Sequence, residues 1–234
     1  MRYNNYYMVS IKKLSKQYKS GTGVVKALDD INLEIGKNEL IAIVGPSGSG
    51  KSTLMQMIGG MDKPTSGEIN VGGINIVKLS DYELSDYRNR FIGFIFQLFY
   101  LQTYLNVMDN IQIPMYFRSS DQKERENKAI ELAQSVGLGD KIHSYPKELS
   151  GGQMQRVAIA RALVGSPRII LADEPTANVD RENSENIMGI FKQIHAQGNT
   201  TIIIVTHDEK VAQYCNRIIR IENGKIVSDQ LISK

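Results

Sequence analysis

The octapeptide Gly45-Pro46-Ser47-Gly48-Ser49-Gly50-Lys51-Ser52 follows directly on the apolar run Leu40–Val44, and it restricts the architecture more than any other stretch of the chain. Five apolar residues in a row, bounded by turn residues, read as a strand buried on both faces. Glycines after such a strand let the backbone curl until several N–H groups point at one anion. A helix that begins at the end of the loop aims its positive pole at the same spot. Strand, loop and helix in that order belong to an α/β fold whose mostly parallel sheet is covered on both faces. In that setting Lys51 reaches the β- and γ-phosphates of a nucleotide, the Ser52 hydroxyl is placed to ligate Mg2+, and Thr53 continues the helix. A plain glycine-rich turn is the alternative, and the strand before and helix after the loop favour the nucleotide site.

The rest of the chain alternates in the same style. Strands are predicted over 9–14, 25–35, 68–77 (around the turn pair Gly72-Gly73), 169–172 and 200–205, and a helix from 50 to about 58. Ser80 with Glu83, and Ser119 with Gln122, are capping boxes that open helices toward Arg90 and toward Val136. Gly137 stands at a C-cap position. Further helices are predicted over 151–164, from Asp180 as cap to Ala196, and over 208–214, with a hairpin over 217–225 turning on Asn223-Gly224. Ile169-Ile170-Leu171-Ala172-Asp173-Glu174 supplies a second half to the site: a core strand whose carboxylates emerge at its C-terminal end, where α/β sheets bind ligands. Asp173 is placed for the magnesium shell, and Glu174 for orienting or deprotonating an attacking water.

Composition excludes several classes. With 41% hydrophobic and 23% charged residues the 234-residue chain can bury a large core, and no apolar run approaches the ~18–20 residues of a membrane span. The first ten residues contain no apolar signal region, and a single cysteine, Cys215, leaves no internal disulfide framework. A net charge of +3 is too small to argue for nucleic acid. The expectation is a soluble cytoplasmic protein that acts at a membrane only through a partner.

Leu149-Ser150-Gly151-Gly152-Gln153, taken with the phosphate loop and the Asp173-Glu174 pair, resembles the signature of the nucleotide-binding subunits of ABC (ATP-binding cassette) transporters. The resemblance runs from about 9 to 227. It implies a P-loop NTPase with a RecA-like core, an antiparallel β subdomain and an ABC-specific α-helical subdomain at about 98–162. All of these lie in one cassette over 8–228, with 1–7 as an N-terminal extension and 229–234 as a tail. It further implies that Tyr18 stacks on adenine, that Gln97 is the glutamine between nucleotide, Mg2+ and membrane partner, that Asp180 belongs to the D-loop of Ala177-Asn178-Val179-Asp180, and that His207 is the switch histidine contacting the γ-phosphate. Ser150 and the signature glycines then grip the γ-phosphate of ATP held by a second copy. ATP and Mg2+ are the implied cofactors. The implied partners are a second copy of the chain and an integral membrane permease, with no nucleic acid.

The segments Pro46–Ser49, Ile92–Gln97 and Ala172–Thr176 look most like the LolD/MacB-like branch, which spans lipoprotein release, macrolide export and peptide resistance. Val179 in place of the usual D-loop leucine, and Leu98–Thr103 without the usual asparagine and proline, are departures, the second on the partner-facing side. A cassette acting on DNA or ribosomes is the alternative. The short stretch between Gln97 and Ser150 leaves no room for a long coiled-coil insertion, and only one cassette is present. Read alone, Tyr18 is a packing aromatic, His143 and His195 are surface or packing residues, Cys215 is a core residue, and the charged run from Lys123 to Lys128 is a solvated helix face. Part of the apolar stretch around Phe99, Tyr100, Leu101, Leu105 and Asn110–Pro114 is expected to form an exposed docking groove.

Overall fold

The computed structural model describes residues 7–21, 23–118 and 121–232. Two sheets carry the architecture. Strands β1 (Tyr7–Ser20), β2 (Gly23–Gly36), β4 (Ser66–Val71) and β5 (Ile74–Asn75) form an antiparallel sheet in the order β2-β1-β4-β5. Strands β3 (Leu40–Val44), β6 (Ile92–Ile95), β7 (Ile169–Asp173), β8 (Thr201–Thr206), β9 (Arg217–Glu222) and β10 (Lys225–Leu231) form the larger sheet in the order β10-β9-β3-β8-β7-β6. All neighbours in that sheet are parallel except the β9–β10 hairpin. This is the P-loop NTPase arrangement.

The continuous apolar runs follow from the sheet's two covered faces. Along β3, Leu40, Ala42 and Val44 enter one core, while Ile41 and Ile43 enter the other. The same alternation splits Ile170 and Ala172 from Ile169 and Leu171, and Ile202 and Ile204 from Ile203 and Val205. The first core is closed by α3 (Val107–Gln112), α4 (Gln122–Ser135), α5 (Gly151–Leu163) and α6 (Arg181–Ala196), which contribute Ile111, Ala129, Ile159 and Phe191. The second is closed by α1 (Lys51–Ile58), α2 (Asp81–Phe91) and the antiparallel sheet. Each fully buried Ile or Leu contributes about 1.5–3 kcal/mol relative to exposure, so the central strands are fixed from both sides.

The local signals hold where chemistry is contiguous in the chain. Ser80 and Glu83 form a reciprocal capping box on α2, and Asp180 accepts the Asn183 N–H to cap α6. Asn223 and Gly224, at φ 48° and 76°, form the β9–β10 turn, and Cys215 is fully buried. Four expectations need correction. The strand over 68–77 is split at Gly72-Gly73 into β4 and β5, with a 3-10 turn over Ile76–Lys78. The first strand runs on past residue 14 to Ser20, so it carries Tyr18, and helix α7 (Glu209–Ala212) is shorter than predicted. Strand β6 and helix α3 are additional elements. Both are short and stabilised by tertiary pairing: β6 aligns with β7 from Ile92↔Ile169 to Ile95↔Ala172. Residues 1–6 of the expected extension, Ser119 of the second capping box and the last two residues lie outside the described residues; α4 has Asp121 at its N-cap. Among the described residues, no helix is long and apolar enough to cross a membrane.

Candidate nucleotide site

Four neighbouring parallel strands deliver the predicted residues to one edge of the sheet. The phosphate loop follows β3, His207 follows β8, Asp173 and Glu174 end β7, and Gln97 lies just beyond β6. The loop's glycines have steric reasons. Gly50, at φ 105°, could not carry a Cβ, which would lie 2.4 Å from the Ala27 carbonyl oxygen; a Cβ on Gly45 would lie 2.1 Å from that of Ile221. The loop is thus pressed between β2 and β9, and Gly224 of the hairpin donates its N–H to the Ser49 carbonyl at 3.0 Å. Lys51 is buried, and its ammonium donates to the Gly45 and Pro46 carbonyls at 2.8 and 2.9 Å. A lysine has three donors, and among the described residues the third has no partner, leaving it for an anion in the loop.

Ser52 Oγ donates to Asp173 Oδ1 at 3.2 Å. A hydroxyl and a carboxylate side by side are hard oxygen donors of the kind Mg2+ takes together with phosphate oxygens. Among the described residues no group of three His, Cys, Asp or Glu could hold a metal without such help. Burial pushes the Asp173 carboxyl above its ordinary range; the Ser52 hydroxyl opposes this, the neighbouring Glu174 charge adds to it, and Lys51 opposes it.

Glu174 is the most constrained group of the site. Its backbone is left-handed at φ 46°, a conformation that costs a non-glycine residue about 1–3 kcal/mol. The N–H donates to the Val205 carbonyl at 2.8 Å. Its carboxylate accepts the Thr206 hydroxyl at 3.0 Å, the His207 N–H at 3.0 Å and His207 Nδ1 at 2.7 Å. Nδ1 therefore carries the proton in this contact, and the exposed ring turns Nε2 away from Glu174. Thr206, fully buried at the end of β8, was not among the predicted residues; its position next to His207 was the only clue.

Tyr18 is exposed, and its hydroxyl donates to Asp62 Oδ2 at 3.0 Å, just past the end of α1. Its acidity is lowered first by partial burial and then by the Asp62 carboxylate. The signature lies elsewhere. Ser150 caps α5, accepting the Gln153 N–H at 3.3 Å, and Gln153 Oε1 accepts the Ser150 N–H at 2.8 Å. This reciprocal box explains the serine and glutamine of Leu149–Gln153 without any ligand. A Cβ on Gly152 would lie 2.4 Å from Asn183, which is bonded to Asp180 through both its N–H and its amide at 2.8 Å. A Cβ on Gly151 would approach the Asn178 carbonyl oxygen at 3.1 Å. Signature and D-loop are packed on each other, and the bonds of Ser150 and Gln153 pair them with each other rather than with the phosphate loop. Asn178, not predicted, also donates its amide to the Gln97 carbonyl at 2.8 Å. The Gln97 side chain is exposed.

The apolar stretch after Gln97 divides as expected into core and groove. Ile111 and Asn110 are fully buried, and Asn110 satisfies the loop before it through the Gln102, Leu105 and Asn106 carbonyls. Tyr100, Ile113 and Pro114 instead line a groove of about 710 Å³ with Tyr82, Phe94 and Phe96. His195 packs through Nε2 on the Asn38 carbonyl at 3.0 Å.

The model of the ABC transporter family matches residues 28–177. The chain belongs to that family. The cassette is 47% identical over 223 residues to YvrO, an ABC transporter ATP-binding protein of Bacillus subtilis (strain 168), covering 95% of this chain and 97% of that one. It is 45% identical over 222 residues to the macrolide export ATP-binding/permease protein MacB of Photorhabdus laumondii. That match covers 95% of the cassette but 34% of MacB, so the chain spans about a third of that relative's length. Among solved structures, the ATP-binding cassette MJ0796, a dimer in a post-hydrolysis state bound to ADP and Pi, superposes with a TM-score of 0.90 at 40% identity, covering 97% of this chain and all of that one. The branch anticipated from the motifs around Gln97 and Glu174 is the one these relatives occupy.

Proposed function

We propose that this cassette is the ATP-hydrolysing subunit of an ABC transporter, two copies closing head to tail on two ATP molecules to drive an integral membrane permease. The observation that carries the reading is the Glu174 carboxylate, immobilised by Thr206 and His207 one residue beyond the Ser52–Asp173 pair. ATP is bound by Gly45–Thr53, with Tyr18 stacked on adenine. Glu174 accepts a proton from water as its oxygen bonds to the γ-phosphorus and the bond to the bridging oxygen breaks, giving ADP and phosphate. Lys51 and the loop N–H groups neutralise the developing charge. His207 and Gln97 report whether the γ-phosphate is present. Ser52, Asp173 and Gln97 would hold Mg2+, which would supply further charge neutralisation at the phosphates. Leu149–Gln153 acts on the ATP of the opposite copy, so γ-phosphate favours the closed pair and hydrolysis releases it.

The cassette extends over 8–228 with its helical subdomain at 98–162, and sits on the inner face of the cell membrane through the permease. The aromatic groove beside Gln97 receives that permease. Likeness to macrolide exporters supports an export-type system handling macrolide, lipoprotein or peptide cargo. The test is affinity purification of the tagged chain from detergent-solubilised membranes. Co-purification of a permease is expected; recovery of ribosomes or DNA without one would overturn the transport reading.

A further inference from the structure

Tyr18 lies on β1, yet its ring is held from the far end of α1. The carboxylate that accepts its hydroxyl, Asp62, also accepts the Lys16 ammonium on both oxygens, at 2.8 and 2.7 Å, and the Lys63 N–H at 2.7 Å. Lys16 Nζ donates in addition to the Lys63 carbonyl at 2.7 Å and lies 4.8 Å from the centroid of the Tyr18 ring.

The geometry has three consequences. One face of the ring carries a cation, so a nucleobase takes the other face. The Asp62 bond fixes the ring's tilt before a base arrives, which removes an ordering cost from binding. Asp62 follows the helix that begins at Lys51, so the reach from base platform to phosphate loop is set by α1 rather than by β1 alone. We propose that Asp62, with Lys16, is a positioning group that presets Tyr18 as the base platform at a fixed distance from the phosphate loop, raising affinity for the nucleoside part of ATP and not for the polyphosphate. This deepens the reading of Tyr18 as the adenine-stacking residue and rests on it.

The test is calorimetric titration of the full chain with MgATP and, separately, with magnesium tripolyphosphate, which has no base. Tyr18→Ala should weaken ATP about tenfold or more, the scale of one base stack. Asp62→Ala should weaken it roughly three- to tenfold, the scale of one hydrogen bond, and should add nothing in the Tyr18→Ala background. Lys16→Met, which leaves the Asp62–Tyr18 bond in place, should weaken ATP about threefold. Tripolyphosphate affinity should stay within about twofold throughout. A full Asp62→Ala loss in the Tyr18→Ala background, a parallel loss of tripolyphosphate, or no effect of Asp62→Ala beside a clear Tyr18→Ala effect would each overturn the inference. An unchanged ATP affinity in Tyr18→Ala would instead overturn the stacking reading beneath it. If Asp62→Ala does not fold, Tyr18→Phe, which keeps the ring and removes the hydroxyl that Asp62 accepts, should weaken ATP by roughly the same three- to tenfold, and an unchanged affinity would overturn the inference.

Discussion

Replacing Glu174 with glutamine separates chemistry from architecture. The carboxylate's Oε1 accepts both the N–H and Nδ1 of His207, and Oε2 accepts the Thr206 hydroxyl. In the Glu174→Gln variant the amide oxygen keeps the two histidine bonds, and the amide nitrogen donates to Thr206 Oγ1, whose hydroxyl rotates to accept. Three charge-assisted bonds of about 1.5–3 kcal/mol become neutral ones of about 0.5–1.5 kcal/mol. Removal of the like charge beside Asp173, which raises that residue's pKa, offsets part of the loss. A net loss of about 2–4 kcal/mol lies below the roughly 5–15 kcal/mol stability of a typical domain, so the fold stays intact. Turnover loses its general base, a factor of about 10²–10⁴. Phosphate release at saturating MgATP measures this, and light scattering of the same sample reports assembly: Glu174→Gln should accumulate as an ATP-bound dimer. Turnover within about tenfold of the parent would remove Glu174 from the chemistry, and a monomer at saturating ATP would refute the composite site.

Three other outcomes follow from the same geometry. Burial raises the Asp173 pKa, so the folded state holds its proton more tightly than the unfolded chain; stability falls as pH rises from the ordinary aspartate range through the raised value. Asp173→Asn should therefore melt higher than the parent at neutral pH without nucleotide, and the gap should close in acid; thermal melts across pH check this. Lys51→Ala should abolish the rise in melting temperature that MgATP gives the parent, because the charge beside the Gly45 and Pro46 carbonyls is gone. Ser150→Ala removes the α5 cap, costing about 1 kcal/mol of stability. It should lower hydrolysis while sparing ATP binding by the monomer, and equal loss of both would count against action in trans.

The phosphate loop was legible because its chemistry demands residue types adjacent in the chain: Gly50 must leave room for Ala27, and Lys51 must follow it. The Asp173-Glu174 pair and the central strands were legible for the same reason. What escaped was non-local. Strand β6 exists because Ile92 to Ile95 pair with β7, and nothing in four residues interrupted by Gly93 marks it as a strand. Thr206 looks like an ordinary core threonine until the fold brings Glu174 within 3.0 Å. Gly152 reads as part of a signature, and only the structure shows Asn183 standing where its side chain would be. Asp62 and Lys16 lie in a loop and a strand that share no sequence pattern, and Tyr18 makes them meaningful only in three dimensions.

The signature helix explains why the site cannot be understood loop by loop. From α5, Gln155 donates to the Pro175 carbonyl at 2.8 Å, one residue beyond Glu174. Arg156 donates to Asn183 at 3.3 Å, on the residue that Asp180 caps, and Arg161 donates to the Phe99 and Tyr100 carbonyls at 2.7 Å each. Asn178 closes the circuit from the D-loop to the Gln97 carbonyl. The loops bearing Glu174, Asp180 and Gln97 are therefore all bonded to the helix that Ser150 begins. Tyr100, gripped by Arg161, packs edge-on against Phe96, and Phe96 stacks on Phe94 along the groove. Each of these bonds contributes about 1 kcal/mol, so moving α5 against any single loop breaks one or more of them, whereas moving helix, loops and groove wall together breaks none. Under the proposed function, a partner in the groove and a γ-phosphate on the signature would act on one body, and any change that one makes in the affinity for the other would be matched by the same factor in return.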